Sequence, residues 1–229
     1  EVMFWEGLAR SAAMPVEARP LLENAYRTAR TAGNARISLF AAAAMIDTYL
    51  LEYTNFLGID DWIDSVIEPL QSDMRPREDG DLETWLHAAA LNAMTFRRSA
   101  HPYREACVER MMQLVPTVRD ANVGMGAIGA LLLHAGLTGR VLLARRVERL
   151  LPALESAPDL RPHVVAVTQF ALAFTYHIDQ LRDRSRIEGC LAILDRIAEE
   201  DGLAYVRCFS DMIAYSSFSR SSAPPTGSS

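Results

Sequence analysis

One apolar stripe recurs along this chain, and it narrows the folds open to it. Trp62, Ile63, Val66, Ile67 and Leu70 fall at the three- and four-residue spacings that gather on one face of an α-helix. The stripe returns at Val108, Met111, Met112 and Val115, at Val147, Leu150, Leu151 and Leu154, and at Cys190, Leu191, Leu194 and Ile197. Leu22, Ala25, Tyr26 and Ala29 form a weaker first copy. Equivalent points lie near 22, 63, 105, 144 and 188, at steps of about 41, 42, 39 and 44 residues. Between the copies run richer apolar segments at 37–56, 82–96, 123–137, 164–178 and 203–218. The chain therefore alternates a charged amphipathic helix with a more buried one. A single such pair cannot bury its apolar face, whereas stacked pairs can. No segment shows convincing period-two alternation, so no strand is expected.

The joints fit this reading. Gly33-Asn34 and Asp201-Gly202 are placed to end helices in the left-handed conformation that glycine accepts. Gly58 stops an apolar helix, and Asp60 is expected to cap the amphipathic helix after it. Small residues crowd the apolar helices at 41–44, 88–90 and 124–130, where they let helix axes approach closely. Pro69, Pro116 and Pro152 sit near the middles or ends of amphipathic helices, where each either bends its helix or starts a new one.

Composition excludes several classes. Half of the 229 residues are hydrophobic, enough for a substantial core. A net charge of −6 disfavours non-specific attachment to nucleic acid or to anionic membranes. The segments 121–139 and 162–178 are uncharged and near spanning length, but each carries polar residues and suits a helix buried among neighbours. Cys107, Cys190 and Cys208 are too widely spaced for a zinc site or a disulfide framework, which fits a reducing, cytoplasmic setting. The chain begins at Glu1 and ends in a Ser-, Pro- and Gly-rich stretch, so the expectation is a helical-repeat domain over 1–218 and a flexible tail or linker over 219–229, inside a larger protein.

The stretch AYRTARTAGNARISLFAAAAMIDTYLLEYTNFLGIDDWIDSVIEPL, residues 25–70, resembles the tetratricopeptide-like superhelical region of large bacterial regulators of the maltose-regulator type. Ala29, Gly33 and Asn34 match the end of that pattern's first helix, and Ala41–Ala44, Gly58, Trp62 and Leu70 match its later positions. A weaker echo is ILDRIAEEDG at 193–202, followed by Leu203-Ala204. The period of about 41 departs from the 34 of the tetratricopeptide consensus, and no Trp-x-x-Leu-Gly-x-x-Tyr run is present. The resemblance implies an all-α, right-handed superhelix of about five stacked antiparallel helix pairs. It also implies a noncatalytic sensor or docking segment, in signal transduction or transcription regulation, attached to an output domain elsewhere on the full-length chain.

Several residues are candidates for more specific chemistry. Asp60-Asp61-Trp62-Ile63-Asp64 has the DDxxD form that resembles the magnesium-diphosphate motif of isoprenoid synthases, although Asp60 and Asp61 also suit the start of a helix. The five histidines, His87, His101, His134, His163 and His177, show no metal-ligand spacing and read as satisfied polar groups. No Ser lies in a GxSxG elbow. Arg104 and Arg110 lie within a helical turn of Cys107 and are placed to lower its pKa. The better candidates are on the amphipathic helices, which line the concave face in many stacked-pair proteins. They would present Arg27, Arg30, Asp64, Glu68, Arg104, Arg145 and Arg149 to a protein, a peptide or a small effector. The expected function is therefore binding, with no cofactor, no direct nucleic-acid contact and no membrane span. A magnesium-dependent helical enzyme and a self-association module are the alternatives. For the latter, Val2, Met3, Phe4, Trp5 and Leu8 form an exposed terminal helix and make a dimer possible.

Overall fold

The computed structural model describes residues 1–72, 76, 78–178 and 183–219, excepting the side chains of 178 and 216–219. The expected tail at 219–229 lies, beyond its first residue, outside them. Among the described residues there is no strand. The helices are α1 (Val2–Ser11), α2 (Pro15–Thr31), α3 (Ala35–Glu52), α4 (Ile63–Gln71), α5 (Gly80–Phe96) and α6 (Arg104–Leu114). They continue as α7 (Ala121–Thr138), α8 (Val141–Glu148), α9 (Leu151–Glu155), α10 (Pro162–Ile178), α11 (Arg184–Glu200) and α12 (Ala204–Ser219). The expected alternation is present: α2, α4, α6, α8 with α9, and α11 are the amphipathic members, and α3, α5, α7, α10 and α12 the apolar ones.

The apolar helices form an inner row, each packed on the next, with the amphipathic helices outside it. Side-chain hydrogen bonds between inner helices show their register. Arg36 reaches Asp79 across 43 residues, Thr95 pairs with His134 across 39, and Thr168 reaches the Met125 carbonyl across 43. Each offset is close to the sequence period, so consecutive inner helices run parallel and in step. The amphipathic helix between two of them must run back, which makes every pair antiparallel.

The α7–α10 contact shows why small residues recur here. Thr168 and Thr175, seven residues apart, each donate a hydroxyl to an α7 carbonyl, Met125 and Leu132, at 2.9 Å. Gly129 and Gly136 face those threonines. A Cβ on Gly136 would lie 3.0 Å from Thr175 Oγ1 and 3.2 Å from its Cα. The glycines let the two backbones close to hydroxyl-bonding distance, which offsets their low helix propensity.

The row does not stay open. Tyr53, which ends α3 with φ of 52°, packs edge-on against Phe170 of α10 at 5.1 Å and Phe209 of α12 at 5.7 Å. In an open solenoid a unit touches only its neighbours. Here the first inner helix meets the fourth and fifth, because Tyr53, Phe56, Phe96, Phe170 and Phe209 bury their rings in one cluster.

The local sequence signals are met, with instructive exceptions. Gly33, Gly139 and Gly202 have φ near +70°, as helix ends of this kind require. Asn34 caps α3 by accepting from Ile37 N at 3.1 Å. Asp60 caps nothing: it lies in a 3-10 turn over Leu57–Asp61, and α4 starts without a side-chain cap. Of the three prolines, Pro152 starts α9, Pro116 sits in a 3-10 turn after α6, and Pro69 lies inside α4. The terminal helix is only partly exposed. Phe4 is fully buried and Gly7 packs under Leu22, while Val2 and about half of Trp5 are exposed. α7 is apolar and long enough to cross a membrane, yet 67 % of that stretch is buried inside the fold against its neighbours.

Candidate functional site

The parallel register brings the N-terminal ends of α3, α5, α7 and α10 to one edge of the row. There, with α1, they border an open cavity of about 340 Å³ that runs on along α3 to Leu51 and along α5 to Asn92. Its apolar wall comes from Trp5 and Leu8 of α1, Phe40 and Leu50 of α3, Trp85 of α5 and Val164 of α10. Phe40 and Trp85 meet at 5.3 Å, and the Arg36 guanidinium lies 4.8 Å from the Phe40 ring. Gly126 of α7 also faces it, and a Cβ there would meet nothing within 4 Å.

The rim is polar because helix starts need acceptors for their free N–H groups. Asp79 caps α5 through Leu82 N at 3.1 Å and also pairs with Arg36. Asp120 accepts from Asn122 N at 2.8 Å, and Asp81 accepts from Arg119 N at 2.8 Å. Asn122 ties the next helix in, accepting from Arg161 N at 2.7 Å.

Polar groups also lie on the cavity wall itself. Asp47 of α3 accepts from the Trp85 indole N–H at 2.6 Å. Burial pushes its carboxyl up to about 7, against the opposing pull of that hydrogen bond. Asn92 of α5 is 7 % exposed, and its Oδ1 has no hydrogen-bond partner. A buried acceptor without a donor costs about 1–3 kcal/mol. His163, also on the wall, is pushed down to about 4, by burial first and by Arg161 second, so it is neutral at physiological pH.

The residues expected to form a groove lie elsewhere. Arg27 pairs with Glu23 on its own helix, and Arg30 donates to the Tyr26 hydroxyl at 2.9 Å, with the exposed Glu68 carboxylate in electrostatic reach. Arg104 binds the Ser99 carbonyl, and Arg145 and Arg149 are exposed at α8. None of these, nor Asp64, lines the cavity. The amphipathic helices form the outer layer, whereas the cavity is lined by the inner helices and α1.

The acidic motif is also engaged. Arg97 forks onto Asp60, with Nε at 3.0 Å from Oδ1, and Arg98 forks onto Asp64. The Arg97 hydrogen bond holds the Asp60 carboxyl below its usual range. These carboxylates tie α5's C-terminal end to the α4 region, and no cluster of three metal-ligating side chains occurs among the described residues. Cys107 is buried, donates to the His87 carbonyl at 3.3 Å, and has its thiol pKa raised by burial, opposite to the expectation from its arginine neighbours. Those arginines are turned away: Arg110 reaches Glu83 and Arg104 reaches Ser99.

Sequence reasoning missed Asp47 and Asn92. A signal was available: Asp47 is the one charged residue between Ile37 and Leu51, in an otherwise apolar helix. Comparison with known protein families, with curated proteins and with solved structures finds no match.

Proposed function

We propose that this chain is a noncatalytic binding module, a strongly curled superhelix of helix pairs whose cavity takes a small effector with an apolar body. The cavity supports this reading: at about 340 Å³ it is at the small end of the range for small-molecule sites. Its wall is mostly aliphatic and aromatic, with a few convergent polar groups. That volume favours a small effector over a folded partner or a long peptide. The helices around it come from four successive pairs, so an occupant braces segments far apart in sequence. In a larger regulator, such as the resemblance at 25–70 implies, that bracing is what an output domain would sense.

Indole N–H resonances provide the test, because Trp5 and Trp85 line the cavity and Trp62 does not. Titration with neutral fragments (2-phenylethanol, cyclohexanol, indole) should move the Trp5 and Trp85 signals and leave Trp62 still. Gly126→Leu, which fills open space, should abolish the shifts. Shifts confined to Trp62, or unchanged in that variant, would sink the reading.

A further inference from the structure

Building on the cavity-binding reading, we infer that the cavity's ligand is an organic ammonium: an aromatic or aliphatic body carrying a protonated amine that pairs with Asp47. Three independent features of the site point there.

The first is its hydrogen-bonding polarity. Asp47 of the inner wall takes one hydrogen bond, from the Trp85 indole, and its remaining lone pairs are acceptors. An occupant that pairs with it must bring donors. An ammonium brings three and no acceptor, whereas a carboxylate or phosphate brings only acceptors. A hydroxyl could donate to Asp47 but supplies no charge.

The second is charge. The carboxylates facing the cavity are Asp47 on α3, Asp79 and Asp81 at the start of α5, and Asp120 at the start of α7. The cations are Arg36, which is paired with Asp79, and Arg161 at the start of α10. His163 is held neutral and adds no positive charge. Elsewhere around α3, α2 turns Arg19 to Thr48 and Glu52, α1 pairs Arg10 with Glu6, and α4 turns Asp64 to Arg98. No guanidinium among these reaches Asp47, so the wall carboxylate has no cation of its own. A ligand ammonium would supply one.

The third is the aromatic frame. Trp85, Phe40 and Trp5 border the same space, and Trp85 holds Asp47 by its N–H edge. Aromatic faces attract cations, more strongly where water is displaced. The same rings pack an apolar body.

Calorimetric titration of the full chain at pH 8 with 2-phenylethylammonium, 2-phenylethanol and 3-phenylpropanoate tests this. The three share an aryl body and differ in the head. The ammonium should bind at least about tenfold tighter than the alcohol, with the carboxylate weakest. Asp47→Asn should bring the ammonium to within about twofold of the alcohol. Melting curves on Asp47→Asn and Gly126→Leu confirm that both are folded. Equal affinity for all three heads, each lost in Gly126→Leu, keeps the cavity reading and overturns the ammonium assignment. So does carboxylate binding at least as tight as the ammonium's, or a preference that survives Asp47→Asn. Absence of binding by all three overturns both.

Discussion

The two sides of α5 make opposite uses of buried polarity. Glu83 and Asn92 are nine residues apart, which places them about half a turn from each other around the helix. On one side Glu83, 1 % exposed, is held by the Arg110 fork at 2.9 and 3.1 Å. Beside it the His87 ring bonds the Glu83 carbonyl and the Tyr103 hydroxyl. That network joins α5 to α6 and closes. On the other side, Asn92 Oδ1 has no partner and Asp47 has the Trp85 indole alone. One side is complete within the fold and acts as structure. The other is under-supplied, and Asp47 there lies on the cavity wall.

The largest expected effect breaks the complete side. Arg110→Ala leaves Glu83 buried without its cation and should cost about 3–5 kcal/mol in denaturant unfolding. A loss below about 1 kcal/mol would show that the network is not structural.

Glycine substitutions on α7 sharpen the contrast between packed and open regions. Gly136→Leu drives a side chain into Thr175 and should cost about 3 kcal/mol, lowering the melting temperature by roughly 6–12 °C. Gly126→Leu should be neutral or stabilising by up to about 1 kcal/mol, because it enters the cavity and improves helix propensity. Equal destabilisation of the two would mean that the cavity is not open at Gly126.

Asp47 gives a pH-dependent test. Its carboxyl is raised to about 7 in the fold, above its ordinary value of 3.8, so the folded state binds its proton more tightly than the unfolded state. The resulting stabilisation is fully present below about pH 4 and is lost as pH rises to about 7. Asp47→Asn carries no ionisation cost. It should therefore raise stability at pH 8 by on the order of 2 kcal/mol relative to the parent chain. That gain should shrink below pH 7 and vanish near pH 4, as read from melting curves at each pH. A constant difference across that range would remove burial as the cause. Asn92→Leu should give the smallest effect, a gain of about 1 kcal/mol, because it replaces an unsatisfied acceptor with an apolar group of similar size.

Much of the architecture was legible locally. The stripe at 62–70 and its copies located every amphipathic helix, and the glycines at 33 and 202 marked helix ends, because capping and periodicity are decided within a few residues. The site was less legible. Arg27, Arg30, Asp64, Glu68, Arg104, Arg145 and Arg149 were chosen by assuming that the amphipathic helices line the concavity. Apart from Arg104, which is half-buried against the Ser99 carbonyl, their charges lie on the outer layer because they are the residues that tolerate water.

The sequence by itself determined the helix pairs, their period and the small residues that let helices approach closely, since each depends on neighbours along a helix or on one repeat step. Only the tertiary structure decided that the row curls until Tyr53 meets Phe170 and Phe209. It also decided that Asp60 and Asp64 find Arg97 and Arg98, and that Asp47 and Asn92 come to share a cavity. Those outcomes depend on ring volumes and ion pairs brought together across tens of residues or more than a hundred, and a small change in the angle between successive pairs accumulates along the row. Periodicity sets the number of steps, and side-chain packing sets how far each one turns.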